Sequence, residues 1–257
     1  MNRGVARILN RKLDHFRMKG DWPIRFRWAH GTLRAVARLL LNSTIAPRLC
    51  NICRYEGLFC AHGTPPRLDS RCPSCKSLER HRLFKLWFDN NSALLKGRAI
   101  LHFAPEHAVR SFVEPLAGTY VTADLDPRKA DYQVNIEDIA FPEGSFDTIL
   151  CSHVLEHVDD RKALGEMHRI LRQGGLLLMM TPVVWAWDTT YENPAIVTDR
   201  DRVLHLAQKN HVRYFGANIV RRIENAGFRV SLFKSSEPAV SLHSLLRDDV
   251  LFACWKV

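Results

Sequence analysis

Two rhythms of apolar and polar residues divide the chain. Near its start Val5, Leu9, Leu13 and Phe16 recur at helical spacing among basic residues, and a second amphipathic stretch covers residues 33–41. Together they predict a helical extension over 1–48. After residue 77 another amphipathic segment carries Leu83, Phe84, Trp87 and Phe88 on one face, predicting a connecting helix over 77–97. Beyond residue 98 short apolar runs take over. They predict strands at 99–103, 120–124, 132–135, 147–152, 176–181, 228–234 and 250–256, with helices over 106–116, 161–171 and 215–226 between them. Strands alternating with helices call for an α/β domain over 98–257, a doubly wound sheet of seven strands covered on both faces. Six are expected to be parallel. The seventh follows the sixth without a clear crossover helix and is expected as an antiparallel edge strand.

Composition changes this picture mainly at the amino end. The 257 residues carry a formal charge of +10, but residues 1–48 hold eleven Lys and Arg against Asp14 and Asp21, a net +9. Attraction to polyanions therefore belongs to this head. It reads either as a helix packed on the main domain with solvated arginines, or as a grip for RNA or an anionic membrane surface. No apolar run reaches the roughly 18 residues of a membrane span, and no secretory signal is evident. Seven cysteines are too few for a disulfide framework and fit a reducing, cytoplasmic setting, peripheral to a membrane at most.

Four of those cysteines form a pattern. Cys50 and Cys53 are separated by two residues, as are Cys72 and Cys75, with eighteen residues between the pairs. Two thiolates from one tight turn reach one ion, and two such turns close a tetrahedral shell, so a structural Zn2+ is expected in a zinc-ribbon module over 49–76. Cys60 has no partner at turn spacing and is left out of the ligand set.

In a parallel sheet ligands sit beyond the carboxyl ends of the strands, at the switch point in strand order, so the residues that end strands carry the information. The first strand ends Leu101-His102-Phe103-Ala104-Pro105-Glu106, the second Ala123-Asp124-Leu125-Asp126. An acid ending the second strand can accept both hydroxyls of a ribose. Further on come Asn135-Ile-Glu-Asp-Ile-Ala-Phe-Pro-Glu-Gly-Ser-Phe-Asp147, then His153-Val-Leu-Glu-His157, then Ala163-Leu-Gly-Glu-Met-His-Arg-Ile-Leu-Arg-Gln-Gly-Gly175. In this order the motifs resemble the class I S-adenosylmethionine-dependent methyltransferases, over about residues 98–234. The Ser77–Arg82 segment and the His-Phe-Ala-Pro-Glu loop are similar to a zinc-ribbon-bearing branch of that family.

The resemblance implies a Rossmann-like fold, S-adenosyl-L-methionine as cofactor and a cradle of His102, Phe103, Ala104, Pro105, Glu106, Asp124, Leu125, Asn135, Ile136 and Ser152. Within it Glu106 would hold the ammonium and Asp124 the ribose, while Asn135 and Ile136 would contact the adenine. The chain departs from the family where Ala104 and its neighbours replace the usual glycines, which elsewhere permit close approach and positive φ. A sulfonium is already a strong electrophile, so the protein has to align the partners and supply a base only for a protonated acceptor. His153 and His211 are the candidates for that base. Trp185, Trp187 and Tyr191 mark 183–210 as a substrate lid or an aromatic satellite core. Three functions remain open. They are methyl transfer to oxygen or nitrogen of a small molecule or glycan, RNA methylation using ribbon and head, and non-catalytic binding on a degenerate fold.

Overall fold

The computed structural model describes Leu33, residues 46–63 and residues 66–257. The extension expected over 1–48 lies almost wholly outside the described residues. The chain forms two compact units, one of Met1–Arg82 with Pro238–Leu245, the other of Leu83–Glu237 with Leu246–Val257. The segment Pro238–Leu245, expected within the domain over 98–257, therefore belongs to the first unit.

In the first unit β1 (Arg48–Leu49) pairs antiparallel with β2 (Glu56–Gly57), and β3 (Cys60–His62) with β4 (Arg67–Arg71). Among the described residues one buried apolar cluster is built on Cys50, Phe59 and Cys72. The unit also has a polar centre. Arg82, near the start of α1 (Glu79–Asn91), is fully buried. Its guanidinium donates to the carbonyls of Ser77 (2.8 Å), Ser70 (3.0 Å), His243 (2.6 Å) and Ser244 (2.8 Å) and lies over the Phe59 ring. Those last two carbonyls explain why 238–245 returns here: five donors in a rigid fork collect carbonyls from three separate segments. Arg82→Met is expected to destabilise this unit by about 3 kcal/mol or more, because four buried carbonyls lose a charged donor. Chemical denaturation followed through Tyr55 proteolytic accessibility checks it, with equal midpoints for variant and parent as the contrary result.

The second unit is a seven-stranded sheet in the order β13-β14-β9-β8-β5-β6-β7. Its strands are β5 (Ala99–Phe103), β6 (Thr119–Asp124), β7 (Tyr132–Gln133), β8 (Phe146–Ser152), β9 (Leu171–Met180), β13 (Phe228–Lys234) and β14 (Val250–Lys256). Neighbours from β7 through β9 pair parallel. The last strand is antiparallel as expected, but it is not at the edge: β14 lies between β13 and β9 and pairs antiparallel with both. The reason is legible in side chains. Val250, Leu251, Phe252, Ala253 and Cys254 are all buried, as an interior strand requires, whereas β13 exposes much of its length and tolerates the edge.

Helices α2 (His107–Val113) and α3 (Asp160–Ile170) precede β6 and β9. Asp159 caps α3 by accepting from the N–H groups of Arg161 and Lys162, while Ala163, Leu164, Met167 and Ile170 face the core. Between β9 and β13 the chain forms β10 (Val183–Val184), β11 (Tyr191–Glu192), α4 (Asp199–Leu206), β12 (Arg213–Gly216) and α5 (Ile219–Asn225). The helix expected from residue 215 thus starts later. Arg213 and Phe215 stand on a strand because β12 pairs with both β10 and β11. A Cβ on Gly216 would meet the carbonyl oxygen of Thr189 at 2.5 Å, so this crossing needs glycine. Buried Asp160 ties the region together, pairing with Arg213 (3.1 Å) and Arg222 (2.7 Å) while Glu192 pairs with both arginines. No helix among the described residues is long and apolar enough to cross a membrane.

Candidate functional site

Register brings the informative strand ends into one row. Phe103 is opposite Ala123 on one side and Cys151 on the other, and Ser152 is opposite Met180. Ala104, Asp124, Ser152 and Thr181 therefore emerge together at the carboxyl edge. Strand order reverses at β5, whose chain-order successor β6 lies on one flank and β8 on the other. This is the switch point at which open α/β sheets bind ligands.

Two residues at this edge adopt left-handed backbone without being glycine: Ala104 (φ 47°), which follows β5, and His153 (φ 55°), which follows β8. Such a conformation costs about 1–2 kcal/mol for a residue with a Cβ. Both keep the ladder going, Ala104 N–H donating to the Ala123 carbonyl (2.8 Å) and His153 N–H to that of Met180 (2.7 Å). Ala104 thus takes up the positive φ for which glycine is usual, and the departure from the family's glycine run is one of residue, not of backbone shape.

The remaining expected cradle residues divide by burial. Asp124 is half-buried, and its Oδ1 accepts from the Asp126 N–H (2.8 Å), which fixes the turn after β6. Leu125 beside it is 62% exposed. Pro105 and Glu106 are half-buried, Glu106 holding the N-cap position of α2. Asn135 is exposed, its Oδ1 accepting from the Glu137 N–H (3.0 Å). His102, Phe103 and Ile136 are core residues instead. The His102 imidazole bonds the Tyr120 hydroxyl (2.6 Å) inside the sheet, so what these three offer a ligand is backbone, and Ile136 is no exposed stacking surface. The exposed apolar side chain at this rim is Leu125.

Beyond Ser152 the chain turns through Leu155–His157 and presents a polar cluster. His153 Nδ1 is 3.1 Å from Glu156 Oε1, and Thr181 Oγ1 donates to Glu156 Oε2 (2.9 Å). Burial pushes the Glu156 carboxyl up, but the hydrogen bond and charge of His153 outweigh it, so Glu156 is held below the usual carboxylate range. Burial pushes His211 below the usual imidazole range. The two expected base candidates therefore differ: His153 keeps 30% of its side chain exposed, while His211 is 4% exposed and packed on His157. Trp185 stacks on Phe252, so it belongs to the core, whereas Trp187, Tyr191 and Tyr214 form a more open aromatic group. Sequence reasoning passed over Glu156 and Thr181 as site residues. The three-residue spacing from His153 to Glu156 was the available signal.

In the first unit the four paired cysteines converge. Their sulfurs lie within 4.8 Å of one another, with Cys50 and Cys75 at 3.6 Å and Cys53 and Cys72 at 3.7 Å. Sulfurs on a tetrahedral shell with 2.3 Å metal bonds stand about 3.8 Å apart. The two turns repeat each other: Arg54 N–H donates to Cys50 O and Lys76 N–H to Cys72 O, with Arg54 and Lys76 both left-handed at φ 64° and 63°. None of the cysteines is in a disulfide, and Cys60 is outside the cluster. Burial pushes Cys72 up to about 12, the Cys50 charge adding to it, while hydrogen bonds from Tyr55 and Ser74 bring Cys53 down to about 6 despite burial. Four such sulfurs are a donor set for a soft or borderline cation.

Residues 111–179 match the methyltransferase domain family, the stretch that holds strands β6 to β8 and most of β9 beside the switch point. The ubiquinone/menaquinone biosynthesis C-methyltransferase UbiE of Escherichia coli K12 is 28% identical over 126 residues, covering 43% of this chain and 50% of UbiE. The chain thus spans about half the length of the curated relatives it matches. The carbon methyltransferase CurJ superposes with a TM-score of 0.50 at 14% identity, over 73% of this chain and 56% of that one. It shows the fold. An S-adenosylmethionine-dependent methyltransferase from Mesorhizobium loti gives 0.48 at 15% identity over 66% and 97% of the two chains.

Proposed function

We propose that the protein transfers a methyl group from S-adenosylmethionine, in line, to an oxygen or nitrogen of a small molecule or glycan. The observation that carries this reading is the row of Ala104, Asp124 and Ser152 at the point where strand order reverses. Asp124 accepts the ribose hydroxyls, Leu125 covers one face of the adenine, Asn135 meets its edge, and Glu106 attracts the ammonium. The backbone of His102, Phe103, Ala104 and Pro105 forms the floor, and Ser152 closes it on the β8 side. Bound cofactor supplies an electrophilic methyl, so the chain's own task is alignment and removal of the acceptor proton. His153 takes that proton on Nε2, since its Nδ1 faces Glu156 and the carboxylate stabilises the imidazolium that forms. His211 is a supporting group behind it. The four cysteines hold a structural Zn2+, and their free thiols suit a cytoplasmic site.

A second reading follows from the +9 head, which would grip phosphates of an RNA acceptor or an anionic membrane carrying the substrate. The name of the UbiE relatives points instead to a carbon acceptor. Incubation of methyl-labelled cofactor with fractionated extract tests all three, label being expected in small molecules or carbohydrate. In the same assay His153→Asn is expected to lower kcat by about 100-fold with cofactor affinity unchanged. No transfer into any fraction, with no cofactor binding, ends the proposal in favour of a binding protein on a degenerate fold.

A further inference from the structure

The cluster beyond β8 contains more than a base and its partner. One ligand atom from each of Glu156, His157 and His211 lies within 4.8 Å of the other two. Glu156 and His211 are 2% and 4% exposed, so these are not casual surface neighbours. The chain holds them there deliberately: the left-handed turn at His153 directs Leu155–His157 back over the strand end, and Val212 N–H donates to the Glu156 carbonyl (2.9 Å), fixing the adjacent His211.

Hydrogen bonding then sets the lone pairs. His157 Nδ1 is 2.9 Å from the Asn210 carbonyl, which makes Nδ1 the protonated nitrogen and leaves Nε2 as a donor to a cation. His211 Nδ1 is buried and has no hydrogen-bond partner among the described residues, an arrangement that is unfavourable unless something binds there. The two imidazoles meet edge to face with centroids 4.8 Å apart. A buried carboxylate and two imidazoles with converging donor atoms have the chemistry of a divalent-cation site.

We propose that Glu156, His157 and His211 bind one divalent transition ion such as Mn2+, Co2+ or Zn2+, separate from the cysteine cluster. Ligand atoms on a tetrahedral shell with 2.05 Å bonds stand about 3.3 Å apart, so the three side chains draw together by no more than about 1.5 Å on binding. Three protein ligands leave the rest of the shell to water and to a substrate oxygen, the arrangement of catalytic rather than structural metals. Its bearing on the reaction rests on the methyltransferase reading above: the acceptor is then an alcohol or phenol whose oxygen the ion binds and acidifies. The O–H proton passes to His153, the oxygen lone pair forms the new bond to the methyl carbon, and the carbon–sulfur pair returns to sulfur as the thioether.

Cobalt separates the two metal sites, because thiolates give intense ultraviolet charge-transfer bands that a carboxylate and imidazoles do not. The full chain, given a single equivalent of zinc to fill the cysteine site and then titrated with Co2+ or, separately, Mn2+, is expected to take up one further equivalent without thiolate bands. Glu156→Gln and His211→Asn are each expected to weaken that equivalent by at least about 10–100-fold, with S-adenosylhomocysteine binding by calorimetry reporting that the variants remain folded. A wild-type chain that binds no ion beyond its cysteine site overturns the assignment without recourse to any variant, as does a further equivalent that both variants retain. Ion uptake in a chain that fails to bind S-adenosylhomocysteine would leave the cation site standing and sink the methyltransferase reading alone.

Discussion

Asp124→Ala is expected to weaken S-adenosylmethionine binding by about 100-fold or more in calorimetry. Two hydrogen bonds from ribose hydroxyls to a carboxylate are worth about 1.5 kcal/mol each at the lower end, and 1.4 kcal/mol is tenfold in affinity. Part of any loss would come from the turn, because Asp124 Oδ1 also accepts from the Asp126 N–H. Asp124→Asn separates the two contributions: it keeps an oxygen for the turn and drops the charge, so its affinity is expected between those of wild type and the alanine variant. Wild-type affinity in Asp124→Ala would remove the ribose from this position and with it the placement of the cofactor.

Chelation should have the other large effect. Around the cysteines the described residues form one apolar cluster, Cys50, Phe59 and Cys72 with half-buried Ile52, Cys53, Tyr55 and Cys75, in which the proposed metal ligands are themselves the main members. A structural zinc on thiolates supplies about 10 kcal/mol or more to a small module. Removing it is therefore expected to expose residues 46–82 to trypsin while the seven-stranded sheet keeps its thermal transition. Cys72→Ser is expected to give the same cleavage pattern without chelator. Metal analysis finding no zinc, or an unchanged digest after chelation, would count against the ion.

Much of the sheet was readable because its strands are short apolar runs with clear stops: 99–103 and 228–234 match the observed strands, and β8 differs by one residue. Chain order of elements does not give lateral order, so β14 was placed at the edge. The mark of its interior place is the apolar run Val250 to Cys254, all five side chains of which are buried. At the site, the strand-end acid and the cysteine spacing carried their own chemistry. The strained backbone at Ala104 could not be read, because φ leaves no mark on an alanine's identity. The burial of the His102 side chain is hidden for a related reason: in a strand, alternate side chains point to opposite layers, and only the three-dimensional neighbours say which layer is filled. The Ser77–Arg82 segment was recognised by resemblance alone, and the structure gives it a physical meaning as the polar centre around Arg82.

Because Arg82 completes its carbonyl ring with His243 and Ser244, the first unit is assembled from segments far apart in the chain. On a ribosome the cysteine turns emerge early, yet their scaffold must wait until some 160 further residues have been translated. A nascent chain would carry this half-built module, its guanidinium short of acceptors, throughout synthesis of the sheet. Truncation before residue 238 would make that transient state permanent.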